Sequence, residues 1–468
     1  MGDKNITVSS NKEEIPHKKR SSFTGKIGFV LAAAGSAVGL GNIWRFPYLA
    51  AKYGGGIFLL TYVILALTFG FVLMTAEITI GRKTGKSTIN AFRTLNRKWT
   101  FVGVLGAIIP IIILPYYSVI GGWVGKYFIT YLTGSGSEAA KDGFFEAFTA
   151  SPWQPLLYFW IFVTITFVIV LCGVEKGIEK SSKIMMPALV LLTLGVTVYT
   201  LTMPGVSEGV KYYLLPDFNK FSVNTVLGAL GQLFYSMSIA MGIMITYGSY
   251  MKKDCHIESS VHQIEIFDTG IAFLAGLMII PAAFAFSGGS PETLGQGPGL
   301  MFVALPKVFE SFGSVAGGII GGLFFALVIF AALTSAISLM ETVVSIIIDK
   351  FHLKRRSACV LTYIITLLVG IPSSLGFGVW KGISIGGMTI LDMFDFISNS
   401  VLMPIVAFLT CIFIGYIVGC KTVTDEIEIN GRFRQKAFFN IMIKYICPIC
   451  IAAILISSVL NGLGIIKL

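Results

Sequence analysis

Eleven stretches of this chain are each apolar over enough residues to cross a hydrocarbon layer, which takes about 20 residues of α-helix. They fall at 26–50, 55–81, 99–131, 155–172, 181–203, 222–251, 259–287, 314–349, 357–375, 388–419 and 438–462. One such stretch fits inside a soluble core. Eleven do not, because a chain of 468 residues with only 13% charged residues lacks the polar surface to cover them. In lipid every backbone N–H and C=O must find a partner within the protein, and a continuous helix provides it. The pattern predicts an all-α polytopic membrane protein with 11 transmembrane helices.

Charge sets the orientation. If the amino terminus is cytoplasmic, 26 of the 35 Lys and Arg residues fall in or beside cytoplasmic segments, which fits the positive-inside rule. The net charge of +11 is then a topology signal, and no nucleic-acid partner is expected. Residues 1–25, with Lys18-Lys19-Arg20, lack the order of a cleaved leader and read as a cytoplasmic tail. An odd span count puts the carboxyl terminus outside. The expected organisation is tail 1–25, a first five-helix repeat 26–203, an extracellular loop 204–221, a second repeat 222–420, a cytoplasmic loop 421–437, and the last span with its terminus 438–468. Cys447 and Cys450 lie in an apolar stretch, as small helix residues or as a metal or redox pair. The four His (17, 256, 262, 352) show no ligand spacing. No nucleophile–base set or phosphate loop is evident, so no enzyme is expected.

Two spans are unsuited to being simple helices. The first contains Gly35-Ser36-Ala37-Val38-Gly39-Leu40-Gly41-Asn42, then Arg45 and Pro47. Each of its three glycines weakens a helix by about 1 kcal/mol relative to Ala. The sixth contains Ser236-Met237-Ser238-Ile239-Ala240-Met241-Gly242, between Gln232 and Tyr247-Gly248-Ser249-Tyr250. Small residues also suit close helix packing. The breaks, however, fall at corresponding positions of two five-span halves, which is the mark of an inverted-repeat transporter. Freed N–H groups at a half-helix start favour a carboxylate, and freed carbonyls with Asn and Ser oxygens favour a hard cation such as Na⁺.

The run Gly39-Leu40-Gly41-Asn42-Ile43-Trp44-Arg45-Phe46-Pro47-Tyr48 closely resembles the signature of the neurotransmitter:sodium symporters. Further matches are Gly54-Gly55-Gly56, Glu77, Gly81-Arg82, Gln232 to Ser238, Ile245 to Tyr250 and Ala332 to Ser335, so the resemblance covers residues 20–440. It implies the LeuT fold, a 5+5 inverted repeat with helices 1 and 6 broken; some bacterial members also have eleven spans.

Site residues follow from the resemblance. One Na⁺ site would use the Ala37 carbonyl, Asn42, Ser236 and Asp268; Asp268 is alternatively a helix-start cap facing the cytoplasm. A second would use carbonyls of Gly35, Val38 and Ala331 with hydroxyls of Thr334 and Ser335, unless these bond back to their own helix. Tyr62, Gln232 and Ser236 match chloride-site positions, and the Asp268 carboxylate would stand in for the anion, so chloride is not required. The substrate carboxylate would sit on the Leu40 and Gly41 N–H groups and the Tyr117 hydroxyl. Gly39 stands where monoamine transporters carry Asp, so the implied substrate brings its own carboxylate. Its ammonium would meet carbonyls of the broken helices around Ala37 and Ser238, and Ile113, Tyr235, Ala240, Met241, Ser335 and Leu339 would line an apolar side-chain pocket.

Arg45 with Asp395 resembles an outer gate, Tyr117 with Tyr235 a lid, and Arg20 with Asp349 an inner gate braced by Ser249 and Tyr250. Glu77 is expected to brace the bundle through hydrogen bonds. The implied protein is a sodium-coupled symporter importing a hydrophobic or aromatic amino acid by alternating access, in the cell membrane, as a monomer or weak homodimer. The alternatives are a transporter of a GABA-like or other small zwitterion, a non-transporting homologue, and a gated cation channel.

Overall fold

The computed structural model describes residues 21–287, 298–384 and 386–462. Among them, nine helices are long and apolar enough to cross a membrane: Gly56–Thr84, Arg97–Leu132, Gln154–Leu171, Val174–Leu201, Ile257–Phe286, Ser314–Phe351, Arg355–Leu375, Ile390–Ile417 and Lys436–Leu460. A tenth crossing is bent by 52° at a break between Lys26–Ala37 and Gly41–Lys52. Helices Val223–Ser236 and Ile243–Gly248, separated by Met237–Gly242, supply one more segment. Together these are consistent with the eleven expected crossings. The largest boundary difference is at the fifth, which starts at Val174 rather than 181; a π-helical turn over Val174–Glu179 carries the charged Glu175-Lys176 pair into the helix. Hydropathy alone stops at such charges.

Apolar side chains such as Leu191, Leu368 and Ile449 are exposed on the outer helices, where lipid is the solvent. The buried polar residues lie inside instead, Asn42, Gln232, Asp268 and Glu341 among them. The third and eighth spans pack along one another, and the inner half of the first packs on the fifth, seventh and eighth. The second span and the inner half of the sixth meet backbone to backbone. A Cβ on Gly81 would lie 1.9 Å from the Ile245 carbonyl oxygen, and one on Gly248 would lie 2.3 Å from that of Ile78.

Candidate functional site

The first helix loses its hydrogen-bond ladder at Val38, which is extended (φ −74°, ψ 95°). Asn42 closes the gap from the far side: its Oδ1 accepts from the Gly39 N–H at 3.2 Å, and its own N–H donates to the Gly39 carbonyl at 3.2 Å. The sixth helix unwinds differently. Ser238, Ala240 and Gly242 have φ of 53°, 66° and 75°, two of them side-chain-bearing residues in a region that favours glycine. Two contacts hold this segment. Glu77 Oε1 accepts from the Ala240 N–H at 2.7 Å, and the Ser238 hydroxyl donates to the Ser36 carbonyl at 2.9 Å.

Between the two breaks lies a small cavity. Of the residues expected to bind substrate, Ala37, Gly39, Leu40, Gly41, Ile113, Tyr117, Tyr235, Ser236, Ser238, Met241, Ser335 and Leu339 all line it. Ala240 does not. Its backbone is left-handed and its N–H donates to Glu77. Ser36 and Ile243 line the cavity in addition. Ser36 sits inside the glycine-rich run and was legible as a neighbour of the break. Ile243, first residue of the inner half-helix, carries no signal beyond apolarity. The cavity is tight at Gly39, where a Cβ would lie 2.6 Å from Ser335 Oγ and 3.0 Å from the Tyr117 hydroxyl. That hydroxyl accepts from the Leu40 N–H at 3.3 Å.

Beside the cavity, Asp268 is fully buried in the middle of helix Ile257–Ser287, not at its start. The alternative of a cytoplasmic cap is therefore excluded. Its Oδ1 accepts from Asn42 Nδ2 at 2.7 Å; its Oδ2 accepts from the Tyr62 hydroxyl at 2.9 Å and the Ser236 hydroxyl at 3.3 Å. Tyr62 and Ser236 also share a hydrogen bond of 2.8 Å, and Gln232 donates to the Gly41 carbonyl at 2.9 Å. A carboxylate and two hydroxyls converge here, with the Asn42 amide turned nitrogen-first towards Asp268 and its Oδ1 held by Gly39.

At the other candidate ion site, Gly35 approaches Thr334 so closely that a Cβ would meet Thr334 Cβ at 3.2 Å. Ser335 donates across to the Ser36 carbonyl at 3.1 Å, while Thr334 bonds back to Phe330 and Ala331 of its own helix. Val38 and Ala331 are buried on the same two helices.

At the expected outer gate, Arg45 and Asp395 each meet further side chains. The Arg45 guanidinium lies over the Tyr235 ring, 5.1 Å from its centroid. Asp395 accepts from the Tyr116 hydroxyl at 3.0 Å and from Asn399 at 2.5 Å. An aromatic ring thus stands under the arginine, and a tyrosine and an asparagine hold the aspartate. Arg20 lies outside the described residues. Asp349 accepts from the Ser87 N–H at 2.6 Å, and its backbone carbonyl accepts from Asn90 at 2.8 Å. Ser249 donates to the Thr246 carbonyl within its own segment. Tyr250 donates to Glu341 at 2.7 Å, and Glu341 pairs with Arg355 at 2.5 Å. That pair was not anticipated. An acidic residue inside a 38-residue apolar helix was its available signal. Cys447 and Cys450 are free thiols, and no group of three or more His, Cys, Asp or Glu side chains placed to hold a metal ion occurs among the described residues.

A small cavity between two interrupted membrane helices, flanked by buried oxygen atoms, is the layout of a carrier's binding site. The family model for the sodium:neurotransmitter symporter family matches residues 20–138 and 151–464. The chain is 37% identical to an uncharacterised sodium-dependent transporter, YhdH, of Bacillus subtilis (strain 168) over 96% of this chain and 99% of that protein. It is 25% identical to the human sodium- and chloride-dependent GABA transporter 2 over 97% of this chain and 82% of that protein. The crystal structure of MhsT in complex with L-phenylalanine superposes with a TM-score of 0.85 at 38% identity, covering 94% of this chain and all of MhsT. The chain belongs to the sodium:neurotransmitter symporter family and has its broken-helix LeuT fold. It is a sodium-dependent, multi-pass membrane transporter of a small molecule, in a family of symporters and not of enzymes.

Proposed function

We propose that this protein imports a hydrophobic or aromatic L-amino acid together with Na⁺, by alternating access in the cell membrane with the amino terminus cytoplasmic and the carboxyl terminus outside. The observation that carries the reading is the cavity itself. Backbone at Leu40 and Gly41 meets one end, and Ile113, Met241, Ile243 and Leu339 line it as an apolar wall. A charged substrate side chain buried there would have no counter-ion. MhsT, bound to L-phenylalanine, has the same fold at 38% identity. A GABA-like substrate, suggested by the name of the human relative, would seat its one carboxylate in the same way and carry its ammonium farther along, where the lining offers no Asp or Glu to meet it.

One Na⁺ binds at Ala37, Asn42, Ser236 and Asp268, and a second at Gly35, Val38, Ala331, Thr334 and Ser335. Asp268 supplies a fixed negative charge within hydrogen-bond reach of Tyr62 and Ser236, which removes the need for chloride. Na⁺ and substrate bind together because the ion offsets the charge of Asp268 and of the substrate carboxylate. Their joint presence favours closure of Tyr235 under Arg45. Discharge then requires the inner half of the first helix to move away from the cavity. The transporter acts as a monomer or a weak homodimer.

The test is a panel of radiolabelled amino acids on proteoliposomes with and without a sodium gradient. Phenylalanine, tyrosine, tryptophan, leucine and isoleucine are expected to accumulate only with sodium, equally well in chloride and gluconate. Absence of sodium-dependent uptake for every amino acid would refute the substrate class. Collapse in gluconate would refute chloride independence.

A further inference from the structure

The inner half of the first helix, Lys26–Ala37, is a short lever. It is cut from its outer half at Val38–Leu40, and its inner end forms one wall of the cavity at Ser36 and Ala37. Its far end lies roughly 20 Å away, at 1.5 Å per residue, and is gripped from two sides. The loop after the sixth helix takes one side. The Phe23 N–H donates to the Tyr250 carbonyl at 3.1 Å, and Lys252 donates to the Thr24 carbonyl at 2.7 Å. The fifth helix takes the other side through one residue, Glu179, which is 1% exposed. Its Oε2 accepts from the Thr24 N–H at 2.8 Å, and its Oε1 accepts from the Thr24 hydroxyl and pairs with Lys183 at 2.7 Å.

The neighbouring helix is shaped around this carboxylate. A Cβ on Gly28 would lie 2.2 Å from Glu179 Oε1. A buried ionised group at a membrane interface is retained when its partners justify its desolvation. Two of its partners here are non-helical groups at the end of a movable element. Charge-assisted hydrogen bonds are the strong ones, and they break together when Thr24 moves.

We propose that Glu179 is a positioning residue for transport: it latches Thr24, and with it the first helix, against the fifth helix while the cytoplasmic pathway is closed, and it releases Thr24 for discharge. This rests on the alternating-access reading above. Binding Na⁺ stabilises the closed arrangement, so weakening the latch weakens apparent sodium binding by linkage.

The experiment uses the full chain in lipid nanodiscs and proteoliposomes, with Glu179→Gln and Thr24→Val. Hydrogen exchange of the segment 21–30 in saturating sodium reads the latch directly, since the Thr24 N–H is one of its bonds. Glu179→Gln is expected to speed that exchange and to raise the half-saturating sodium concentration roughly tenfold each, the effect of one charge-assisted hydrogen bond. Maximal uptake and the unfolding midpoint are expected to change little. Thr24→Val is expected to act in the same direction by roughly threefold, having lost only the hydroxyl arm, and it carries the test if the glutamine variant does not fold. Unchanged exchange at 21–30 in either folded variant, or lower maximal uptake with unchanged sodium dependence, would overturn the proposal. Uptake without sodium dependence in the unaltered protein would remove the transport reading, while the exchange rates judge the latch separately.

Discussion

The two interrupted helices face one cavity but are interrupted by different means. In the first, the ladder stops over three residues and a side chain four positions beyond Val38, Asn42, closes the gap locally. Glycines here clear space, since Gly39 abuts Ser335 and Tyr117, and Gly41 would place a Cβ 2.5 Å from the Tyr235 ring. In the sixth, six residues leave the helix, with non-glycine backbone at positive φ, and they are held from 163 positions away by Glu77. The first break is limited by room and the sixth by restraint. Crowding therefore damages one, and loss of an anchor damages the other.

The largest expected effect is on the anchor. Glu77→Ala leaves the Ala240 N–H unpaired in a buried setting and is expected to lower sodium-dependent phenylalanine uptake roughly 100-fold, equivalent to about 3 kcal/mol. Glu77→Gln is expected to keep part of the rate. Near-normal uptake in Glu77→Ala would show that the sixth break holds itself. Gly39→Ala tests the opposite limit. One methyl against Ser335 and Tyr117 is expected to weaken half-saturation by substrate roughly 20-fold, in the range of overpacked cores; a harmless result would mean that room does not govern the first break.

Ser238→Ala removes the strut between the two breaks and is expected to reduce uptake roughly fivefold, the value of one neutral hydrogen bond. An effect as large as that of Glu77→Ala would make the breaks a single unit. The smallest effect is on stability. Ala240→Gly removes a strained φ worth about 1 kcal/mol and is expected to raise the unfolding midpoint by roughly one to two degrees. A lower midpoint would show that the Ala240 methyl, not its N–H, secures the loop.

The sequence exposed the breaks because glycine spacing and hydroxyl clusters are local signals, and apolar length made the crossings visible. The family resemblance, and no local signal, grouped Asn42 and Ser236 with Asp268, and the fold brings Asp268, 226 positions from Asn42, into hydrogen-bonding distance. Restraints acting across the fold were out of reach. Glu77 was legible as a brace but not as the partner of a particular backbone N–H. Neither the grip of Glu179 on Thr24 nor the pairing of the fully buried Arg82 guanidinium with Glu426 at 3.0 Å leaves a local pattern, because each joins segments from different helices. The π-helical turn at Val174–Glu179 escaped for a different reason. Glu175 and Lys176 lie exposed on the outside of this turn, and a hydropathy window records their charge but not which way they face.

The contact of Gly81 with Ile245 and of Gly248 with Ile78 has a mechanical consequence. With no space for even one methyl group between these backbones, the second crossing and the inner sixth segment share one seam, and a side chain larger than hydrogen at Gly81 or Gly248 would force the two helices apart.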